Sequence, residues 1–287
     1  MLDQAERLRR MANGALNSKE ENKARIITIT SGKGGVGKSN FVINLGIYMQ
    51  STGKKIIIFD ADVGMGNDDV LMGLRTKGSI FDVISGEKTL EEVMLEGPYG
   101  INLIPGGSGL NRIEELTENE KKVFFNKISE LKGFDYILMD TGAGISKNVL
   151  GFINCCDEVI FLTTPEPTSL TDCYSVIKAT NHFKLKPTGS VVINRALDKE
   201  EGESIFFKLN SVANRFLNMN LAYLGCVYED RKLLEAVRSQ EPVIVKFPSS
   251  DVAFSIKKIG DKLMGKLNDK ENTGIEGLFK KIFNIFS

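Results

Sequence analysis

The chain reads as an α/β protein, with one doubly wound, mainly parallel sheet and helices on both faces. Three observations predict this. Apolar, β-branched runs alternate with helical patterns over most of the length, as a parallel sheet covered on both sides requires. A glycine-rich loop joins the first such run to the first helix. The 287 residues, 42% hydrophobic and 26% charged, have an ordinary globular composition and enough length to bury a core without disulfides or structural metal.

The elements follow in order. Expected strands are Ile26–Thr30, Lys55–Phe59, Ile101–Ile104, Tyr136–Met139, Val159–Leu162, Ser190–Ile193 and Ala222–Val227. Each is a short apolar run too short for a helix. Expected helices lie near Phe41–Gln50, Glu118–Leu131, Lys147–Asn154, Leu170–His182, Ser204–Asn218, Arg231–Arg238 and Val252–Leu267. Residues 1–25 are polar and charge-rich, with Leu2, Ala5, Leu8 and Met11 or Ala12 spaced for one face of a short helix. Residues 26–266 form the expected single domain, 267–274 a polar linker and 275–287 a separate terminal segment.

Composition excludes several classes. Thirty-seven basic residues face thirty-seven acidic ones, so no bulk electrostatic attraction to nucleic acid is expected. Four cysteines without a CxxC, and a single histidine (His182), give neither a disulfide framework nor a structural zinc pattern. No apolar leader opens the chain and no apolar run is long enough to span a bilayer, so the expected location is the cytoplasm.

Gly32-Lys33-Gly34-Gly35-Val36-Gly37-Lys38-Ser39 satisfies GxxxxGK[ST] between the first strand and the first helix. Glycines there let backbone N–H groups turn toward phosphate oxygens, and the helix N-terminus adds its partial positive charge. Lys38 is placed to neutralise the β- and γ-phosphates and Ser39 to ligate Mg²⁺. Strand two ends in Asp60-Ala61-Asp62-Val63-Gly64. Its two acids are expected to face opposite ways, one toward the phosphates and one toward the metal shell or local structure. Strand four ends in Asp140-Thr141-Gly142-Ala143-Gly144, which puts Asp140 where an aspartate holds Mg²⁺ through water. Both acidic loops lie at carboxyl ends of strands, where open α/β sheets bind ligands.

The loop, with its second lysine, resembles the deviant Walker A motif KGGVGK[ST] of the MinD/ParA family of P-loop ATPases. D-x-D-x-G-x-x-N at Asp60–Asn67 is similar to that family's first switch. The resemblance implies ATP and ADP as ligands, with Mg²⁺, and an ATP-dependent homodimer in which Lys33 reaches the partner's nucleotide. It implies that Asp62 positions or activates the attacking water and that Asp60 supports the metal region. It also implies that Asn194, in Val192-Ile193-Asn194-Arg195, bonds the adenine. Arg195, Asn40 and Glu229 complete the implied nucleotide set. The carry-over is looser at Glu229, because Tyr228 stands where the family often has proline. No N-K-x-D element for guanine is present.

At the far end, Ile275, Leu278, Phe279, Ile282, Phe283 and Phe286 fall on one helical stripe, with Lys280 and Lys281 off it. Full burial of six such side chains is worth roughly 9–18 kcal/mol before ordering and partial insertion remove most of it. One copy is therefore expected to bind an anionic membrane weakly and reversibly, and two copies on a dimer to bind by avidity. Packing of this helix on its own domain is the alternative, and the two can hold in turn.

At the near end, Asp3-Gln4-Ala5-Glu6-Arg7-Leu8-Arg9 matches DQAxxLR, a pattern similar to the activation motif of the FlhG (YlxH) branch of flagellar-number regulators. Lys38-Ser39-Asn40 and Asp140–Gly144 agree with that branch. The resemblance implies regulation of flagellar number and placement, contact with flagellar switch-complex proteins, and stimulation of an FlhF-type GTPase. Gln4 is the residue implied to act at the partner's GTP. Division-site regulation of the MinD type, and less so DNA partition of the ParA type, are the alternatives within the family. A metal-cluster carrier of the same fold is disfavoured by the missing CxxC.

Overall fold

A computed structural model describes residues 24–62, 66–106 and 133–265. The expected helix near Glu118–Leu131, the linker and both terminal segments, with Gln4 and the stripe from Ile275 to Phe286, lie outside these residues. Strands β1 (Arg25–Ser31), β2 (Ile56–Ala61), β3 (Leu95–Glu96), β4 (Asn102–Ile104), β5 (Tyr136–Ala143), β6 (Glu158–Thr163), β7 (Gly189–Ala196) and β8 (Leu221–Tyr228) form one sheet. Their order is β3-β4-β2-β5-β1-β6-β7-β8. Every pairing is parallel except β3 with β4 at the edge. The doubly wound parallel fold expected from the strand–helix alternation is the fold observed, and the seven expected strands are all present. The two-residue β3 is the addition.

Helices α1 (Lys38–Ser51), α2 (Asp68–Leu71), α3 (Ile80–Ile84), α4 (Leu90–Val93), α5 (Lys147–Cys155), α6 (Pro167–His182), α7 (Lys199–Leu217), α8 (Arg231–Arg238), α9 (Val243–Lys246) and α10 (Asp251–Met264) cover the two faces. Alternation along each strand sends successive side chains to opposite sides, which gives two apolar layers. Ile27, Ile29, Ile58, Leu138 and Val192 pack beneath α1 and α10, against Phe41, Leu45, Ile256 and Ile259. Ile26, Ile57, Met139, Phe161 and Val191 pack beneath α5, α6 and α7, against Phe152, Ile177 and Leu209. All ten strand residues are buried, as the central strands of a sheet covered on both faces should be.

The cysteines form no disulfide; Cys155, Cys156 and Cys173 are buried and Cys226 is half-buried. Among the described residues, no helix is long and apolar enough to cross a membrane.

Candidate functional site

The site is built where β1, β2 and β5 end. Ser31 closes β1, and Lys38 opens α1 after a loop whose turn depends on glycine. Gly35 (φ 79°) and Gly37 (φ 90°) are left-handed, a region costly for residues with a Cβ. Gly32 answers a different need: a Cβ there would lie 2.1 Å from the Asp172 carbonyl carbon. The loop is therefore pressed against α6.

Lys38 is 7% exposed and its Nζ donates to Asp140 Oδ1 at 2.7 Å. Register explains the neighbourhood. Asp60 on β2 and Asp140 on β5 are direct partners across the pair, so they share one face. They fall in step with Ile58 and Leu138, on the α1 side. Burial acts to lower the Lys38 pKa, but Asp140, by charge and hydrogen bond, with Asp62 and Asp68, raises it overall. Burial pushes the Asp60 carboxyl up to about 7, and the Asp140 charge adds to it.

The expectation that Asp60 and Asp62 face opposite ways fails. Strand alternation repeats every two residues, and the acids flank a single alanine. Asp62 N donates to Asp60 Oδ1 at 3.1 Å, and both carboxylates act on the same Lys38–Asp140 neighbourhood. Asp62 is half-buried, and its carboxyl is raised first by burial, against a lowering from Lys38, and further by Asp140. A Cβ on Gly142 would stand 3.1 Å from Asp62 Oδ1, so the two acidic loops meet.

Lys33 points away from this cluster. Its Nζ donates to Glu166 Oε2 at 2.7 Å and to Thr168 Oγ1 at 3.1 Å, just before and within the first turn of α6. The Lys33 hydrogen bond and charge hold the exposed Glu166 carboxyl below the usual range. Lys33 thus stays at the surface, paired within its own chain.

The residues expected at the base do something the sequence did not suggest. Asn194 Nδ2 donates to Val36 O at 2.7 Å, and Arg195 Nη2 to Gly35 O at 2.9 Å. Both brace the phosphate loop from β7. Beside them a shallow surface depression is lined by Gly37, Asn40, Phe41, Asn194, Val227, Leu233, Val252 and Ile256. Its walls are mostly apolar, with two side-chain amides, a chemistry suited to a planar base. Glu229 is exposed after β8, and neither it nor Arg195 lines this depression.

Sequence reasoning missed Asp68. It opens α2, is 0% exposed, and is charge-coupled to Asp140, Asp60 and Lys38. Its only sequence signal was a run of two acids after Asn67, which reads equally well as an acidic first turn of a helix.

The donor set suits a hard cation. Asp60, Asp68 and Asp140 are buried carboxylates, and three of their oxygens (both of Asp68, and Asp140 Oδ2) accept no hydrogen bond. Among the described residues no three such groups are arranged to hold an ion by themselves. Mg²⁺ usually keeps several waters and takes phosphate oxygens beside one or two carboxylates, which these residues could supply. Ser39, in the first turn of α1, would supply a hydroxyl.

Comparison with known proteins gives a consistent family. The family model AAA_31, described as an AAA domain, matches residues 24–195. The antiactivator FleN of Pseudomonas aeruginosa is 35% identical over 240 residues, covering 83% of this chain and 86% of its own. The flagellum site-determining protein YlxH of Helicobacter pylori is 35% identical over 293 residues, covering 98% of each chain. Among solved structures, the MinD cell division protein of Aquifex aeolicus superposes with a TM-score of 0.68 at 25% identity, covering 87% of this chain and 100% of its own.

Proposed function

The chain belongs to the AAA_31 family, as a P-loop ATPase of the MinD/ParA class akin to the flagellar regulators FleN and YlxH, and on that premise we propose that it is an ATP-driven switch setting flagellar number and placement. The observation that carries the reading is the buried Lys38–Asp140 ion pair at the mouth of the glycine loop. A buried lysine committed to an aspartate is poised to exchange it for phosphate oxygens.

In this reading the N–H groups of Gly34–Ser39 hold the triphosphate, and Lys38 leaves Asp140 to pair with the β- and γ-phosphates. Ser39, with Asp60 and Asp140 nearby, would hold Mg²⁺, which when bound would supply charge neutralisation at those phosphates. Asp62 orients the attacking water, and its raised proton affinity is in the direction a hydrogen-bond acceptor for that water needs. Asn40 and Asn194 sit at the apolar depression where adenine enters. Arg195 supports the loop rather than the base, and Glu229 acts from the rim.

Lys33 exchanges Glu166 and Thr168 for the nucleotide of a second copy, so that ATP favours a homodimer. The dimer presents two C-terminal stripes, from Ile275 to Phe286, to the anionic inner face of the cell membrane. If dimerisation favours the membrane, the membrane must favour the dimer by the same factor. Gln4 and its neighbours stimulate an FlhF-type GTPase, and flagellar switch-complex proteins are the second class of partner. This division of labour makes residues 1–25, 26–266, 267–274 and 275–287 the activating segment, ATPase domain, linker and membrane helix. Support for the flagellar reading over the division-site one is the greater likeness to FleN and YlxH than to MinD.

The test is the molar mass by light scattering with ADP and with a non-hydrolysable ATP analogue. Wild type is expected to double in mass with the analogue alone, and Lys33→Ala to remain monomeric while still binding it. A Lys33→Ala protein that dimerises like wild type removes the trans role.

A further inference from the structure

Asp68 is the unexplained group in the site. An aspartate opening a helix is ordinarily exposed, where it complements the helix dipole. This one is fully buried, and neither carboxylate oxygen accepts a hydrogen bond. Asp140 is close enough for the two carboxyls to share a proton, but buried polar groups are almost always satisfied, so an ionised Asp68 calls for a partner outside the protein. A second enclosed oxygen lies in the same cluster: Asp140 spends Oδ1 on Lys38, and its Oδ2 has no partner. Asp60 completes the group, with its Oδ1 accepting from Asp62 N. Gly66 makes room, since a Cβ there would stand 2.3 Å from Asp60 Oδ2.

The chemistry of the missing partner follows from the atoms. Ionised carboxylate oxygens only accept, so the partner donates hydrogen bonds or positive charge. A phosphate would be repelled by three acids facing one lysine. A divalent cation carrying waters fits, because its ligand waters are strong donors and its charge offsets the excess. Such a cation usually keeps several waters, and Asp68 acts through those waters.

We infer that Asp68 is a positioning residue for the divalent cation of the nucleotide site, accepting hydrogen bonds from the cation's water ligands on the side facing Asp140. This rests on the magnesium–nucleotide reading above and extends it to a residue outside the loop and both acidic strand ends. Asp68 therefore selects for a hydrated cation bound together with nucleotide. Ionising Asp68 in this buried cluster is costly, and a bound hydrated cation offsets that cost.

The test uses the full chain and Mn²⁺ as the probe. Mn²⁺ affinity of the protein–ADP complex is read by electron paramagnetic resonance, ADP affinity without metal by calorimetry in chelator, and metal-free unfolding by heat. Asp68→Asn keeps the shape and removes the charge. It is expected to weaken Mn²⁺ binding about 10-fold, as loss of a group orienting a metal's ligands does. Metal-free ADP affinity should stay as in wild type, and the metal-free unfolding midpoint should stay level or rise. Unchanged Mn²⁺ affinity overturns the inference. So does an equal fall in Mn²⁺ and metal-free ADP affinity, which makes Asp68 a shaper of the phosphate pocket. Asp68→Ser carries the same comparison if the Asn variant does not fold, and failure of both to fold makes the role structural and the inference wrong. A wild type whose ADP affinity gains nothing from Mn²⁺ fails the magnesium–nucleotide reading itself, a result distinct from any difference between the variants.

Discussion

At the residue scale, one lysine balances a cluster of acids. Lys38 meets Asp140 directly and feels Asp62 and Asp68, so removing one acid redistributes the load on the others. Asp60 carries a testable consequence. Its carboxyl titrates at about 7 in the folded chain and near ~3.9 when unfolded. The folded state then binds more protons than the unfolded one across that window, so stability falls as pH rises through it. Nucleotide-free protein melted from about pH 5 to about pH 8 should lose midpoint steadily, and Asp60→Asn should flatten the slope. A wild-type midpoint that climbs over this range contradicts the assignment. Asp62 makes a second case. Asp62→Ala should slow ATP hydrolysis by ~10²-fold or more while nucleotide still binds, and a normal rate in a turnover assay rules out the water-orienting role. Lys38, Asp60, Asp62 and Asp140 were legible because the glycine loop and the strand ends announce them in sequence. Asp68 was not, because nothing local distinguishes a buried acid from a solvated helix start; its burial is a product of packing. The bracing of the loop by Asn194 and Arg195 was hidden for the same reason, since it joins residues 158 and 160 positions apart.

At the element scale, caps and length decided what could be read. The central strands were legible as runs of β-branched residues. The helices α2, α3, α4 and α9 were not, because four or five residues hold barely one turn and show no period. Ser79 with Asp82 and Thr89 with Glu92 form capping boxes, and that spacing was the available signal for α3 and α4. Helix α7 begins at Lys199, ahead of the expected Ser204, because Asp198 caps it by accepting from Glu201 N at 2.7 Å. The same chemistry bears on the site through α10, whose Val252 and Ile256 wall the depression beside the glycine loop. Ser250 caps that helix, its Oγ accepting from Ala253 N at 3.3 Å. Ser250→Ala should cost about 1 kcal/mol of stability in chemical denaturation, with a weakened nucleotide affinity as α10 frays at the wall. An unchanged denaturation midpoint contradicts the capping role. The C-terminal stripe makes an element-scale prediction of its own. Phe279→Glu with Phe283→Glu should abolish flotation with anionic vesicles, and flotation equal to wild type excludes this segment as the membrane anchor.

At the scale of the whole molecule, the sheet separates two ends. The glycine loop, both acidic loops and the apolar depression gather at the carboxyl ends of the strands. The described chain enters at the opposite end, where Arg25 Nη1 donates to Leu263 O at 3.2 Å near the close of α10. The first and last described residues therefore meet at the end of the sheet away from the glycine loop. Helix α1 touches both ends. It starts at Lys38 and finishes beside the end of α10, where Tyr48 OH donates to Asp261 Oδ1 at 2.6 Å and Thr52 Oγ1 lies 3.4 Å from Met264 Sδ. Gly260 allows this packing, since a Cβ there would meet the Tyr48 ring at 2.7 Å. Helix α1 therefore links the glycine loop to the end of the sheet where the described residues begin and end. The most direct test is co-sedimentation of the full chain with anionic vesicles, in parallel with ADP–Mg²⁺ and with a non-hydrolysable ATP analogue and Mg²⁺. The account predicts that protein pellets with the vesicles in the analogue and stays in the supernatant in ADP. Equal pelleting in both nucleotides would contradict an ATP-driven membrane switch.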